Sequence, residues 1–162
     1  MAKLRKQHMT IHWHDIIQAD SNVPAVDATL KEKATLVGRL GLMMLSVGTG
    51  AWRVRNSMNK VSRSLGISCS ADIGLVSIEC TCIGDNETYT QSLSLPTTGV
   101  NTDKLMELEM FMRDFPDLAG EYSVNQFHEV LDHIQKKPAN YKAWNPGLAS
   151  AIACCAFTFL LG

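Results

Sequence analysis

At 162 residues the chain is long enough for one domain with a buried core, and 46% hydrophobic against 19% charged residues marks it as globular and slightly poor in charge. A formal net charge of -1, with no long run of Lys or Arg, excludes a nucleic-acid binder from the expected classes. The five cysteines, Cys69, Cys80, Cys82, Cys154 and Cys155, form an odd set without a disulfide framework, which points to a reducing compartment.

The first 29 residues read as an irregular or partly helical arm. The basic start, Met1 to Lys6, is not followed by an apolar stretch, so a cleaved secretory signal is not expected. Asp20 to Pro24 is a turn signal. His8, His12 and His14 are of a metal-ligand type. Two His at i, i+2 share a face only in a strand, however, and no third ligand accompanies them, so no metal site is expected.

Residues 30–48 are predicted as a helix, because Leu36, Val37, Leu40, Met43, Met44 and Val47 recur on one face. Gly38 and Gly41 inside it suggest close approach of another backbone. Gly48 and Gly50 then break the helix. A second helix is predicted over 51–65, with Val54, Met58, Val61 and Leu65 inward, Arg53, Arg55, Lys60 and Arg63 on the rest, and Gly66 past its end. Arg53 is the candidate ligand-binding residue. It opens a helix, where backbone N–H groups and the helix dipole favour an anion, and its fork suits a carboxylate. Its plainer reading is a surface or interdomain ion pair. No Gly-Lys-Ser/Thr follows Gly50 and no strand precedes it, so the glycines read as a helix–helix turn rather than a phosphate loop.

The period then changes to two. Val76, Ile78, Cys80 and Cys82 alternate with Ser77, Glu79 and Thr81; Gly84 to Glu87 is a turn; and Thr88–Leu95 continues as a strand with Tyr89, Leu93 and Leu95 on one side. Ile67–Ala71 can supply a third strand. Cys80 and Cys82 point to one face without the geometry of a mutual bridge, and read as buried small hydrophobes. Asn101 caps a predicted helix over 102–114 that Phe115 and Pro116 end, with Leu105, Leu108 and Met112 inward. Ser123 to Gln126 is a capping box for a helix over 124–136, with Phe127, Leu131 and Ile134 inward and His128 and His133 on different sides.

From Ala143 to Gly162 there is no charge, and 20 such residues make a helix about 30 Å long. Small residues at Gly147, Ala151 and Cys155 and at Ala149 and Ala153 add the pattern of packed membrane helices. The expected fold class is therefore α+β, with helices packed on a small, mostly antiparallel three-stranded sheet, followed by a C-terminal transmembrane helix. The expected division is an arm over 1–29, a cytoplasmic domain over 30–140 and a first, incomplete span over 143–162. Lys136, Lys137 and Lys142 ahead of the span place the preceding domain in the cytoplasm.

Several landmarks resemble one family. The run from Gly41 to Val54, through Gly48, Gly50 and Arg53, is similar to the helix, glycine break and Arg-Val opening of the threonine/serine exporter family's N-terminal domain. Ser64, Leu65 and Gly66 match the close of its second helix. Thr98, Gly99, Val100 and Asn101, with Lys104 and Leu105, resemble its entry to the helix after the sheet. Tyr141 and the small-residue run beyond it resemble its approach to the membrane. The resemblance covers residues 34–162. Arg55 stands where the family pattern places an acid.

The resemblance implies export of small hydrophilic acids, threonine and serine or a dicarboxylate such as succinate, from the cell's inner membrane. It implies a gating, subunit-recruiting or substrate-binding role for the domain, with no cofactor and no enzymatic activity. The expected partners are further transmembrane segments or a separate membrane subunit, the membrane itself and a small carboxylate; self-association into a homo-oligomer is a further option. Two alternatives stand beside it. One is a soluble ligand-binding or regulatory domain with a buried apolar C-terminal helix. The other is a hydrolase-like domain with a serine or cysteine near His128 or His133, although no Gly-x-Ser-x-Gly elbow is present.

Overall fold

The computed structural model describes residues 11–16, 23–138 and 144–161, with side chains of the last segment described over 147–160. The elements are helices α1 (Leu30–Ser46) and α2 (Ala51–Ser64), strands β1 (Ser68–Ile73), β2 (Ser77–Ile83) and β3 (Thr88–Ser94), then helices α3 (Thr102–Leu118), α4 (Val124–Lys136) and α5 (Trp144–Leu161). Two short 3-10 turns, Trp13–Ile16 and Ala25–Asp27, precede them.

The sheet is antiparallel in the order β1-β2-β3. Period-two alternation decides its faces. Ile78, Cys80, Cys82 and Leu93 are buried on the inner face, while Glu79, Ser92 and Ser94 face water on the outer one. The two threonine hydroxyls of Thr81 and Thr90 meet on that outer face at 2.9 Å. The inner face packs on α1 and α2, and α3 and α4 cover the other side of α1.

That position makes α1 the centre of the domain. The sequence pattern predicts one buried face, but Leu42, Leu45, Gly38, Arg39 and Gly41 are buried as well. From Ala34 to Leu45 this helix, between a sheet and a helix pair, has no side left for water. Gly38 is needed there, because a Cβ would lie 2.8 Å from Leu93 Cδ1. The close neighbours are side chains from β3, not another backbone. Thr29 and Glu32 form a capping box at the start of α1. At the other end Gly48 takes φ +83°, and the amides of Gly99 and Asn101 donate to the carbonyls of Ser46 and Val47 at 3.1 and 3.2 Å.

Asn101 caps α3 as expected, accepting from the Lys104 amide at 3.1 Å. The helix does not stop at Phe115, however, and runs through Pro116 to Leu118. Proline fixes a helical φ and forfeits one amide bond. Against that loss stands the burial of Phe115, whose ring lies 4.4 Å from Phe127 and 5.6 Å from Phe111. The Ser123–Gln126 capping box of α4 forms as expected.

The expected C-terminal transmembrane helix is corrected. Among the described residues no helix is long and apolar enough to cross a membrane. The described side chains of α5, over 147–160, do not enter the domain core either: Ile152 is 62% exposed and Phe159 92%.

Candidate functional site

Arg39 is the most unusual residue of the core. Its helix carries it into the centre, where it is 1% exposed, so its charge must be matched inside the protein. The residues of α4 that face α1 supply the match. Arg39 Nη1 donates to Nδ1 of His128 at 2.9 Å and to the His128 carbonyl at 3.1 Å. Nη2 donates to the Asp132 carboxylate and to Gln135 Oε1, the latter at 3.2 Å. His128, Asp132 and Gln135 present themselves together because i, i+4 and i+7 share one face of a helix.

Arginine has no lone pair to accept with, so Nδ1 of His128 is an acceptor and the imidazole proton sits on Nε2. Burial, then the charge of Arg39, then His14 push the His128 imidazole down to about 3, against the opposing pull of Asp132. His128 is thus neutral. Its Nε2 and the Nε of Arg39 are buried with no hydrogen-bond partner. Burial raises the Asp132 carboxyl, but hydrogen bonds from Arg39 and His14 outweigh it and hold the group below the usual carboxylate range. Burial also lowers the Arg39 guanidinium against the opposing effect of Asp132.

The arm closes this cluster from outside. The Trp13 ring stacks on His128 at 6.2 Å and lies under the Arg39 guanidinium carbon at 5.6 Å. His14 bonds Asn125 at 3.1 Å and Asp132 at 3.2 Å. Beside it opens a cleft of about 670 Å³ between the arm, the end of α4 and residues 94–97. Asp15, Asp132, His14 and Lys136 bring both signs of charge to its wall, with Trp13 and Leu42 as apolar lining. Such a mixed wall suits a small zwitterion or acid.

The residues singled out by sequence lie elsewhere. Arg53 is half-exposed at the start of α2 and pairs with Glu109 of α3 at 2.6 Å. Gly50 caps α2 and Val54 is fully buried beneath it. Gly66 closes α2 at φ +70°. Gly48, Gly99 and Asn101 meet at the end of α1, as described above, so these motif residues build a junction of α1, α2 and α3 rather than a pocket. Arg55 donates to the Ala71 carbonyl at 3.0 Å. His128 is buried and His133 exposed, as their spacing predicts. The described partners of His128 are Arg39, Trp13 and His14, none of them a nucleophile. Among the described residues no cluster of three or more His, Cys, Asp or Glu is disposed to hold a metal; His8 lies outside the described residues. Sequence reasoning missed Arg39. The signal available was the one charge in the run from Ala34 to Ser46, three residues after Leu36 and one before Leu40.

The family model described as "Putative threonine/serine exporter" matches residues 35–162. The chain belongs to the threonine/serine exporter family. It is 25% identical over 139 residues to a protein of Mycobacterium tuberculosis (strain ATCC 25618 / H37Rv) named "Probable threonine/serine exporter". The match takes in 84% of this chain and 26% of that protein, so the chain spans about a quarter of the length of this curated relative. No solved structure matches.

Proposed function

We propose that this chain is the substrate-capturing N-terminal part of an exporter of small hydrophilic acids, threonine and serine first, a dicarboxylate such as succinate second. The observation that carries the export reading is the family match over 35–162. The cleft beside Arg39 is the proposed capture site. Asp15 and Asp132 offer anions for an α-ammonium group, and Lys136 offers a donor for an α-carboxylate. Arg53 is the second candidate. The carboxylate it holds, Glu109, displays the right chemistry and also competes with any ligand there. The domain is placed on the cytoplasmic side, where an exporter meets its cargo, and its working partners are the membrane portion of the exporter or a separate membrane subunit.

Titration calorimetry of the chain with threonine, serine, succinate and a glycine control tests the capture site. Lys136 is 80% exposed, so Lys136→Ala leaves the fold intact. Binding of threonine or serine that weakens at least several-fold in Lys136→Ala, and not in Arg53→Ala, supports the cleft. The reverse pattern moves the site to Arg53. No heat with any of the acids removes the capture role. Efflux of labelled threonine from cells carrying the whole exporter tests the export reading separately.

A further inference from the structure

Three thiols converge on the inner face of the sheet. In the β1–β2 register Cys69 stands directly opposite Cys82, and Cys80, two residues before Cys82, shares that face. Cys82 and Cys80 are buried and Cys69, on the edge strand β1, is half-buried. Directly opposed residues of an antiparallel pair have Cα atoms about 4.5 to 5.5 Å apart. A disulfide needs about 4.4 to 6.8 Å. The backbone is therefore already at bridging distance for Cys69 and Cys82. It is not so for Cys80 and Cys82, whose Cβ atoms stand two residues apart along one strand.

We propose that Cys69 and Cys82 form an oxidisable dithiol that hydrogen peroxide closes into a cross-strand disulfide. Cys69 is the attacking sulfur, since it alone of the three is reachable from the edge. Hydrogen bonds from the Cys80 and Cys82 thiols, and then from Ser62, draw Cys69 down to about 3 against its burial. The same contacts push Cys80 and Cys82 upward, a direction that agrees with Cys69, the half-buried edge-strand thiol, as the attacking sulfur. The Cys69 thiolate attacks one peroxide oxygen, the O–O bond breaks, and hydroxide leaves and takes up a proton as water. The Cys82 sulfur then attacks the Cys69 sulfenic acid; the S–O bond breaks, the Cys82 proton leaves with that oxygen, and a second water is released. Both sulfurs are oxidised by one electron each and the peroxide is reduced. Cys80 keeps its thiol, with Gln91 Nε2 at 3.4 Å from its sulfur.

The test oxidises the full chain with hydrogen peroxide, blocks remaining thiols with N-ethylmaleimide, digests without reductant and maps the peptides by mass spectrometry. It is run on the natural chain and on a C154S/C155S background, which removes the two exposed cysteines of α5. The expected result is one intramolecular Cys69–Cys82 cross-link, reversed by dithiothreitol, present in Cys80→Ser and abolished in Cys69→Ser and Cys82→Ser. Circular dichroism confirms that each variant is folded, and the mapping of the natural chain stands even where a variant is not. Three thiols that all remain open to N-ethylmaleimide overturn the proposal. So does a cross-link that joins Cys80, one that joins two chains, or a Cys69 sulfinic acid without pairing.

Discussion

At the residue scale the domain turns on Arg39. A buried guanidinium loses its hydration, and only the cluster of His128, Asp132 and Gln135 returns hydrogen bonds to it. Arg39→Ala deletes the cation and leaves buried Nδ1 of His128 without its donor, and is expected to cost about 3 to 5 kcal/mol in urea unfolding. The neutral His128 gives a pH dependence of known sign. Its folded value is about 3, against an ordinary value of 6.5, so below pH 6.5 the unfolded chain takes up a proton that the folded chain refuses. The contribution is complete above that point and is lost as pH falls towards 3, by at most about 1.4 kcal/mol per pH unit. The depressed Asp132 carboxyl adds to the loss at the acid end of the window. Denaturation midpoints at pH 7.5, 6 and 5 measure this, and His128→Gln, which keeps an acceptor for Arg39, should flatten the slope. Nothing in the sequence pairs Arg39 with His128, which lies 89 positions away. The thiols show the same limit. Cys80 and Cys82 read correctly as buried residues, while the partner opposite Cys82 appears only once the strand register is known.

At the element scale most of the chain was legible. The boundaries of α1, α2, the β2–β3 hairpin and α4 follow from hydrophobic period and capping residues, because these are local interactions between positions a few residues apart. The misjudged end of α3 shows where local rules yield. Pro116 marks a stop by backbone chemistry, but Phe115 gains more by staying in register with Phe111 and Phe127. The proline therefore forgoes one helical hydrogen bond, a loss that packing offsets. Pro116→Ala restores the missing amide and is expected to raise the urea midpoint by the equivalent of about 1 kcal/mol or more, after the looser unfolded chain is discounted. A lowered midpoint would show that the ring itself packs favourably.

At the scale of the whole molecule the described chain is a layered domain followed by an apolar helix that it does not bury. The side chains of 147–160 are exposed throughout, so they contribute no burial to the domain. A chain ending at Pro138 is expected to melt within about 2 °C of the full chain, because losing surface residues away from the core shifts stability little. It should also self-associate less in sedimentation, since an exposed apolar patch favours association. A large drop in melting temperature would place α5 against the domain instead.

What the sequence determined by itself was set by short-range physics and by resemblance. Period, caps and turns specify the α-α-β-β-β-α-α order, and the run from Gly41 to Val54 with Thr98 to Asn101 carries the family. Tertiary structure alone decided the rest. It showed that Gly48, Gly99 and Asn101 are one junction, that Arg53 is held by Glu109, and that Arg39 and Asp132 meet beside a cleft. It also removed the transmembrane reading of the last helix. The physical reason is that a charge, a thiol or an apolar run has no fixed meaning along the chain. Its hydration, its partner and its burial are settled by residues that only folding brings near.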